Sequence, residues 1–304
     1  MKKLGFMFTI GAFLHPTQIT NENLDKGNYH FYIIASSTIK HFDGSYLKDN
    51  QIVFKVTDNS EVKEFAMPNP DKCKVISYDF KYTDPSQENI IASFEVDNNG
   101  KIEKYSNVTY SASELWHLFS YERNFQIEYI GQSFAKDGHR TALERLSNHS
   151  TLQKILADAL VSSPKKDIRI FLLGAENIDV SKIDLNSKTP IISFQDSPEI
   201  LNAEYVNLLE AFLINYFKPK YNQKFVNGVV PTSSHNSYKN VMNSDYDEFV
   251  VSVGILGSKY LYNLRTDTQT VSVERGFIKE HVHVSFDTAN VVADEYIYSF
   301  DDSK

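Results

Sequence analysis

An α+β protein is predicted, with a central αβ segment between two β-rich flanks, and three observations predict it. Residues 1–106 and 228–304 hold runs of β-branched and aromatic residues of strand length, punctuated by turn dipeptides. Between them the period changes to that of a helix. In Ala203–Phe217, the residues Val206, Leu209, Leu213 and Phe217 recur on one helical face. The same central stretch, residues 107–227, also contains FQIEYIG and DIRIFLLGA, two apolar segments of strand length on either side of helical sequence.

The N-terminal elements follow from composition. Met1–Leu14 (MKKLGFMFTIGAFL) places two lysines before an apolar run. No small-x-small site follows and His15-Pro16 interrupts, so a buried strand is favoured over a secretion signal. NYHFYIIASSTIKHF, QIVFKVTD, KCKVISYDFKY and NIIASFEVDNNGKIEKY read as strands, the last a hairpin about Asn99-Gly100. In the centre, ELWHLFSYE reads as a strand returning through FQIEYIG, so that His117 faces Tyr129. A loop over residues 131–138 leads to a helix over 139–148, and Ser150 with Gln153 forms a capping box for LQKILADAL. DIRIFLLGA is the third strand of that sheet, and Pro219 ends the helix begun at Ala203. DEFVVSVGIL, SKYLYNLRT, TVSVERGFI, EHVHVSFD and DEYIYSF restore β character at the C-terminal end.

Charge and cysteine content narrow the function classes. The 304 residues carry a formal net charge of −8, which argues against indiscriminate coating of nucleic acid. Residues 136–169 nevertheless hold seven basic and four acidic side chains, so a local cationic groove is compatible with the total. The single cysteine, Cys73, excludes an intrachain disulfide and a thiolate-rich zinc site, and a reducing, cytoplasmic compartment is expected. No apolar run reaches the roughly 18 residues of a membrane helix.

Several residues stand out chemically. Glu210 falls inside the apolar stripe of its helix, where a carboxylate requires a salt bridge or a metal ion. A hard cation such as Mg²⁺ needs only one or two protein carboxylates, with water and phosphate completing its shell. Arg145 and His149 are one helical turn apart, and a guanidinium matches a phosphate bidentately. Tyr129 ends a strand, His117 is expected opposite it, and Asn222 follows the Pro219 turn in KPKYN. His281 and His283, two apart on a strand, share a side but lack an evident third ligand.

EYIGQS, then ERLSNH, then EAFLINYFKPKYN resembles the GIY-YIG nuclease family over residues 114–225. The YIG element is literal at Tyr129-Ile130-Gly131, and Arg145-Leu146 with His149 matches the family's Arg-Leu-x-x-His. Glu210 matches its metal-binding glutamate and Asn222 its asparagine after a Pro-containing turn. The resemblance implies a small antiparallel sheet flanked by helices, one Mg²⁺ or Mn²⁺ ion, and hydrolysis of phosphodiester bonds. DNA is the expected substrate, in restriction or phage defence, with a homodimer or protein partner engaged through the β-rich flanks. A catalytically impaired nucleic-acid-binding or protein-interaction module is the alternative. The sequence departs from the family in two places. No Gly-Ile-Tyr precedes Tyr129 at hairpin distance, so His117, or secondly Tyr121, is the candidate for the missing tyrosine's role. The loop after YIG is long, which makes Arg140 a rival to Arg145.

Overall fold

A computed structural model describes residues 3–19, 29–58, 61–67, 74–120, 122–133, 142–162, 164–179, 193–194, 202–227, 248–256, 261–271, 273–274, 277–278, 280–285 and 291–295. In chain order its strands begin with β1 (Lys3–Leu14), β2 (Phe31–Thr38), β3 (His41–Lys48), β4 (Gln51–Asp58), β5 (Glu61–Ala66), β6 (Lys74–Tyr82), β7 (Asn89–Asn98) and β8 (Lys101–Ser111). Helix α1 (Ala112–Phe119) precedes β9 (Glu122–Gln132), and α2 (Ala142–Ser147) and α3 (Ser150–Val161) precede β10 (Lys166–Asp179). After β11 (Ser193–Phe194) comes α4 (Ala203–Phe217). The remainder is β12 (Glu248–Leu256), β13 (Leu261–Arg265), β14 (Thr270–Val271), β15 (Val273–Glu274), β16 (Phe277–Ile278), β17 (Glu280–Ser285) and β18 (Val291–Glu295).

Mostly β structure replaces the expected α+β core of a small helix-flanked antiparallel sheet. The strand bearing YIG lies in a ten-stranded mixed sheet, not a small hairpin sheet. The chain divides into two compact units. Unit 1 holds residues 1–37, 122–160 and 168–304, and unit 2 holds 38–121 and 161–167.

Unit 1 is built on the sheet β14-β13-β9-β2-β10-β1-β12-β17-β18, with β11 beside β10. Both faces of its central strands are buried, which explains their continuous apolar runs. Phe31, Ile33 and Ala35 of β2, with Phe171 and Leu173 of β10, join one core with Val206, Leu209 and Leu213 of α4. Tyr32 and Ile34, with Ile170 and Leu172, face the other way and join Leu143, Leu146, Leu152 and Ile155 of α2 and α3. Asn202 caps α4 by accepting from the backbone N–H groups of Glu204 and Tyr205. At the other end Lys218 adopts a left-handed conformation (φ 50°) that stops the helix before Pro219.

Unit 2 occupies the sequence between β2 and β9. It holds two three-stranded antiparallel sheets, β3-β4-β5 and β6-β7-β8. Tight turns with positive φ at Asp49, Asn50, Asn99 and Gly100 set two of the hairpins. Strand β7 alternates strictly, with Ile90, Ala92, Phe94 and Val96 buried among Phe54, Phe65, Leu115 and Trp116. ELWHLFSYE is mainly helical where a strand was expected. Ser111 accepts the Glu114 N–H as an N-cap, and Ala112, Leu115 and Trp116 bury one face. Aromatic content suggested a strand there, but the cap and packing decide for a helix.

Among the described residues no helix is long and apolar enough to cross a membrane. Lys40 is only 2% exposed. It pairs with Asp58 at 2.8 Å and lies 5.4 Å from the centre of the Trp116 ring. Asp58→Asn should strand this ammonium without its counter-charge and cost about 3 kcal/mol. Urea denaturation checks this, and an unchanged midpoint would refute it.

Candidate functional site

The site begins with two tyrosines on adjacent strands. β2 and β9 pair antiparallel, with Tyr32 opposite Gly131 and Ile34 opposite Tyr129. The next partner of Ala35 is Ile127, so Glu128 is an extra residue, a β-bulge. This insertion inverts the alternation along β9. Phe125, Ile127 and Ile130 enter the core beneath α4, whereas Tyr129 packs on the opposite side with Tyr32. Without the bulge, Tyr129 would share the side of Ile127. Buried Glu128 is held there by the Ser36 hydroxyl, which donates to its Oε1 at 2.6 Å.

The two rings stack with centroids 6.1 Å apart. Gly131 makes room for them. A Cβ at this position would come within 2.5 Å of the Tyr32 hydroxyl and 2.9 Å of the Tyr129 ring. The glycine of YIG is thus required by close side-chain approach from the neighbouring strand.

His149 closes this aromatic group. It precedes α3 rather than riding on α2, so Arg145 and His149 do not share a continuous helix. His149, not Ser150, caps α3, its Nδ1 accepting the Leu152 N–H at 3.2 Å. In the neutral ring the proton therefore sits on Nε2, which donates to the Tyr32 hydroxyl at 3.1 Å. Burial, and then the Arg145 charge, depress the His149 pKa below its usual value and favour this neutral form. Tyr32 then accepts from His149 and keeps its own hydroxyl proton.

Glu210 approaches from α4. Half-buried, it accepts the Gln132 backbone N–H on Oε1 at 3.1 Å. The Gln132 side chain in turn donates to Asn207 at 2.5 Å, one helical turn before Glu210. Burial raises the Glu210 pKa, opposed by Arg145, Gln132 and Lys224. Both tyrosine pKa values are also raised, principally by burial. The Glu210 charge pushes each of them further up and the Arg145 charge pulls each down. The arginine and glutamate thus act on the same two hydroxyls from separate elements.

Asn222 fixes the YIG backbone. Its Oδ1 accepts the Ile130 N–H at 2.9 Å and its Nδ2 donates to the Ile130 carbonyl at 2.8 Å. The Tyr221 N–H adds a bond to the Glu128 carbonyl at 3.0 Å. These contacts continue the edge of β9 where β13, which pairs as far as Gln126, leaves off. Asn222 is therefore a backbone clamp on the strand that carries Tyr129.

Tyr129, Arg145, His149, Glu210 and Asn222 come together, and Tyr32, which sequence reasoning missed, joins them. His117 does not oppose Tyr129 across a hairpin. It sits on α1, buried, and bonds Asp167 at 2.9 Å within unit 2. The strand facing Tyr129 is β2, far upstream in sequence. Its run HFYIIASS carried the signal: a tyrosine inside an apolar strand bordering the same sheet. Tyr121 and Arg140 lie outside the described residues, as do the side chains of His281 and His283. Among the described residues no three His, Cys, Asp or Glu form a metal cage. The half-buried Glu210 carboxylate still fits a hydrated divalent cation, which needs few protein ligands. No family model, curated protein or solved structure matches the chain.

Gly131→Ala should force the Tyr32 ring away from Tyr129 and cost about 1–3 kcal/mol by overpacking. A chemical denaturation midpoint equal to wild type would exclude that crowding. The pH dependence of Glu210 gives a second test. Its carboxyl holds a proton more tightly folded than at the ordinary value of 4.5. Ionisation therefore costs stability as pH rises through the folded pKa and nothing below the unfolded one. Glu210→Gln is expected to raise Tm at pH 7 and leave it unchanged near pH 4. A lower Tm at pH 7 would show that the charge is stabilising.

Proposed function

We propose that the chain is a divalent-metal-dependent endonuclease that hydrolyses phosphodiester bonds in nucleic acid, DNA being the expected substrate. The observation that carries this reading is the gathering of two tyrosines, an arginine, a histidine and a glutamate from β2, β9, α2, the cap of α3 and α4. Their order in the chain resembles that of GIY-YIG nucleases. Tyr32, stacked beside Tyr129 on the neighbouring strand, is our candidate for the missing tyrosine's role and supports an active enzyme over the impaired alternative.

Each side chain has a role that follows from its bonds. Tyr129 orients the attacking water and, as tyrosinate, takes its proton. His149 Nε2 bonds the Tyr32 hydroxyl, and the Tyr32 ring stacked on Tyr129 fixes where that base stands. Water oxygen attacks phosphorus while the bond to the leaving sugar oxygen breaks. Arg145 neutralises charge on the equatorial oxygens of the transition state. Glu210 would hold the cation, which when bound offsets charge on the phosphate and leaving oxygen. Asn222 and the Glu128 bulge keep Tyr129 on the correct side of the strand.

Plasmid cleavage with Mg²⁺ tests the assignment. Glu210→Ala, Arg145→Ala and Tyr129→Phe are each expected to lower the rate about 10²-fold or more. Because the Tyr129 pKa lies above its usual value, the wild-type rate should still climb beyond pH 9. Equal cutting by wild type and all three variants would identify a contaminant and reject the reading.

A further inference from the structure

We infer that the turn after α4 and the exposed side of α3 form a cationic bed on which a nucleic-acid backbone lies as it enters this site; the inference rests on the nuclease reading for what the bound strand meets there. Four lysines supply the charge. Lys218, Lys220 and Lys224 come from the turn, and Lys154 from α3, all of them exposed. Lys220 Nζ is 5.1 Å and Lys154 Nζ 5.8 Å from the centre of the Tyr221 ring. They therefore flank one aromatic platform from two different elements. Among the described residues no carboxylate lies within salt-bridge distance of any of the four. Asp158, the acid bonded to this platform, accepts the Tyr221 hydroxyl at 2.6 Å.

Three further features point to phosphates as the occupant. First, the turn is rigidly registered to the site, because Tyr221 and Asn222 bond the backbone of Glu128 and Ile130 on either side of Tyr129. Lysines displayed by that turn therefore hold fixed positions relative to the tyrosines. Second, Lys224 lies close enough to Glu210 for its charge to favour the ionised carboxylate, a smaller influence than that of Arg145. Third, compensation of the helix dipole accounts only for lysines at the end of α4. It leaves Lys154 and Lys224 unexplained, whereas a row of phosphodiesters accounts for all four. Point-like ammonium groups suit backbone tracking without base readout.

The test measures binding separately from cutting. Anisotropy of fluorescent duplex DNA, single-stranded DNA and RNA is followed in EDTA as salt is raised from about 50 to 200 mM. Lys154→Gln, Lys220→Gln and Lys224→Gln are compared singly and together with wild type, with thermal melts as a folding control. Each single change is expected to weaken binding similarly across sequences. It should also flatten the log K versus log salt slope by about 0.9 on a duplex or 0.7 on a single strand. The nucleic acid with the steepest lysine-dependent slope identifies the backbone that the bed fits. Wild-type affinity and slope in the triple variant would overturn the proposal, as would equally tight binding to polyglutamate or no binding to any nucleic acid. Lysine-dependent binding without Mg²⁺-dependent cleavage would keep the bed and discard the nuclease. Cleavage with lysine-independent binding would do the reverse.

Discussion

The candidate site depends on one irregularity of pairing: the extra residue, Glu128, in β9 where it meets β2. A regular ladder places alternate side chains on one side, so Ile127 and Tyr129 could not otherwise face apart. The bulge sends Ile127 and Ile130 into the core beneath α4 and turns Tyr129 toward Tyr32. Its geometry is held from both edges. Ser36 grips the Glu128 side chain, while Tyr221 and Asn222 take up the backbone groups beside it. Gly131 completes the arrangement by leaving space for the Tyr32 ring.

The titratable groups gathered there are biased toward their neutral forms, and at neutral pH it is the Glu210 charge that costs stability. Burial disfavours the charged forms of Glu210 and His149 and the deprotonated forms of both tyrosines. Such groups persist where the surrounding packing over-determines them, as the two cores on either side of the sheet do here. The His149 ring shows how local capping fixes chemistry. By satisfying an orphan N–H at the start of α3, it fixes which ring nitrogen carries a proton toward Tyr32.

Unit 2 intervenes in sequence between two strands that are neighbours in space. Loop-closure entropy grows only slowly with length, so an insertion of this size weakens the β2–β9 pairing little. β2 also has β10 on its other side, and β9 has β13, so each is held by a second partner. The insertion carries its own core and turns, and its Lys40–Asp58 and His117–Asp167 pairs form within it.

Local rules sufficed for the sequence to determine the strand-rich composition, the Asn99-Gly100 hairpin, the α4 stripe with Glu210, and the residues of the YIG, arginine, histidine and asparagine elements. Each is written within a few residues: a turn dipeptide, a 3.6-residue period, a short motif. Tertiary structure alone decided that β2 is the partner of β9, that His149 caps α3, that α1 is a helix, and that His117 is buried with Asp167. It also decided that β1 and the C-terminal strands enlarge the sheet beyond a helix-flanked core. The physical reason is that strand pairing is a long-range choice made by packing on both faces. Counting back one hairpin from Tyr129 lands in α1, while the tyrosine that stacks on it lies on the far side of an entire inserted unit.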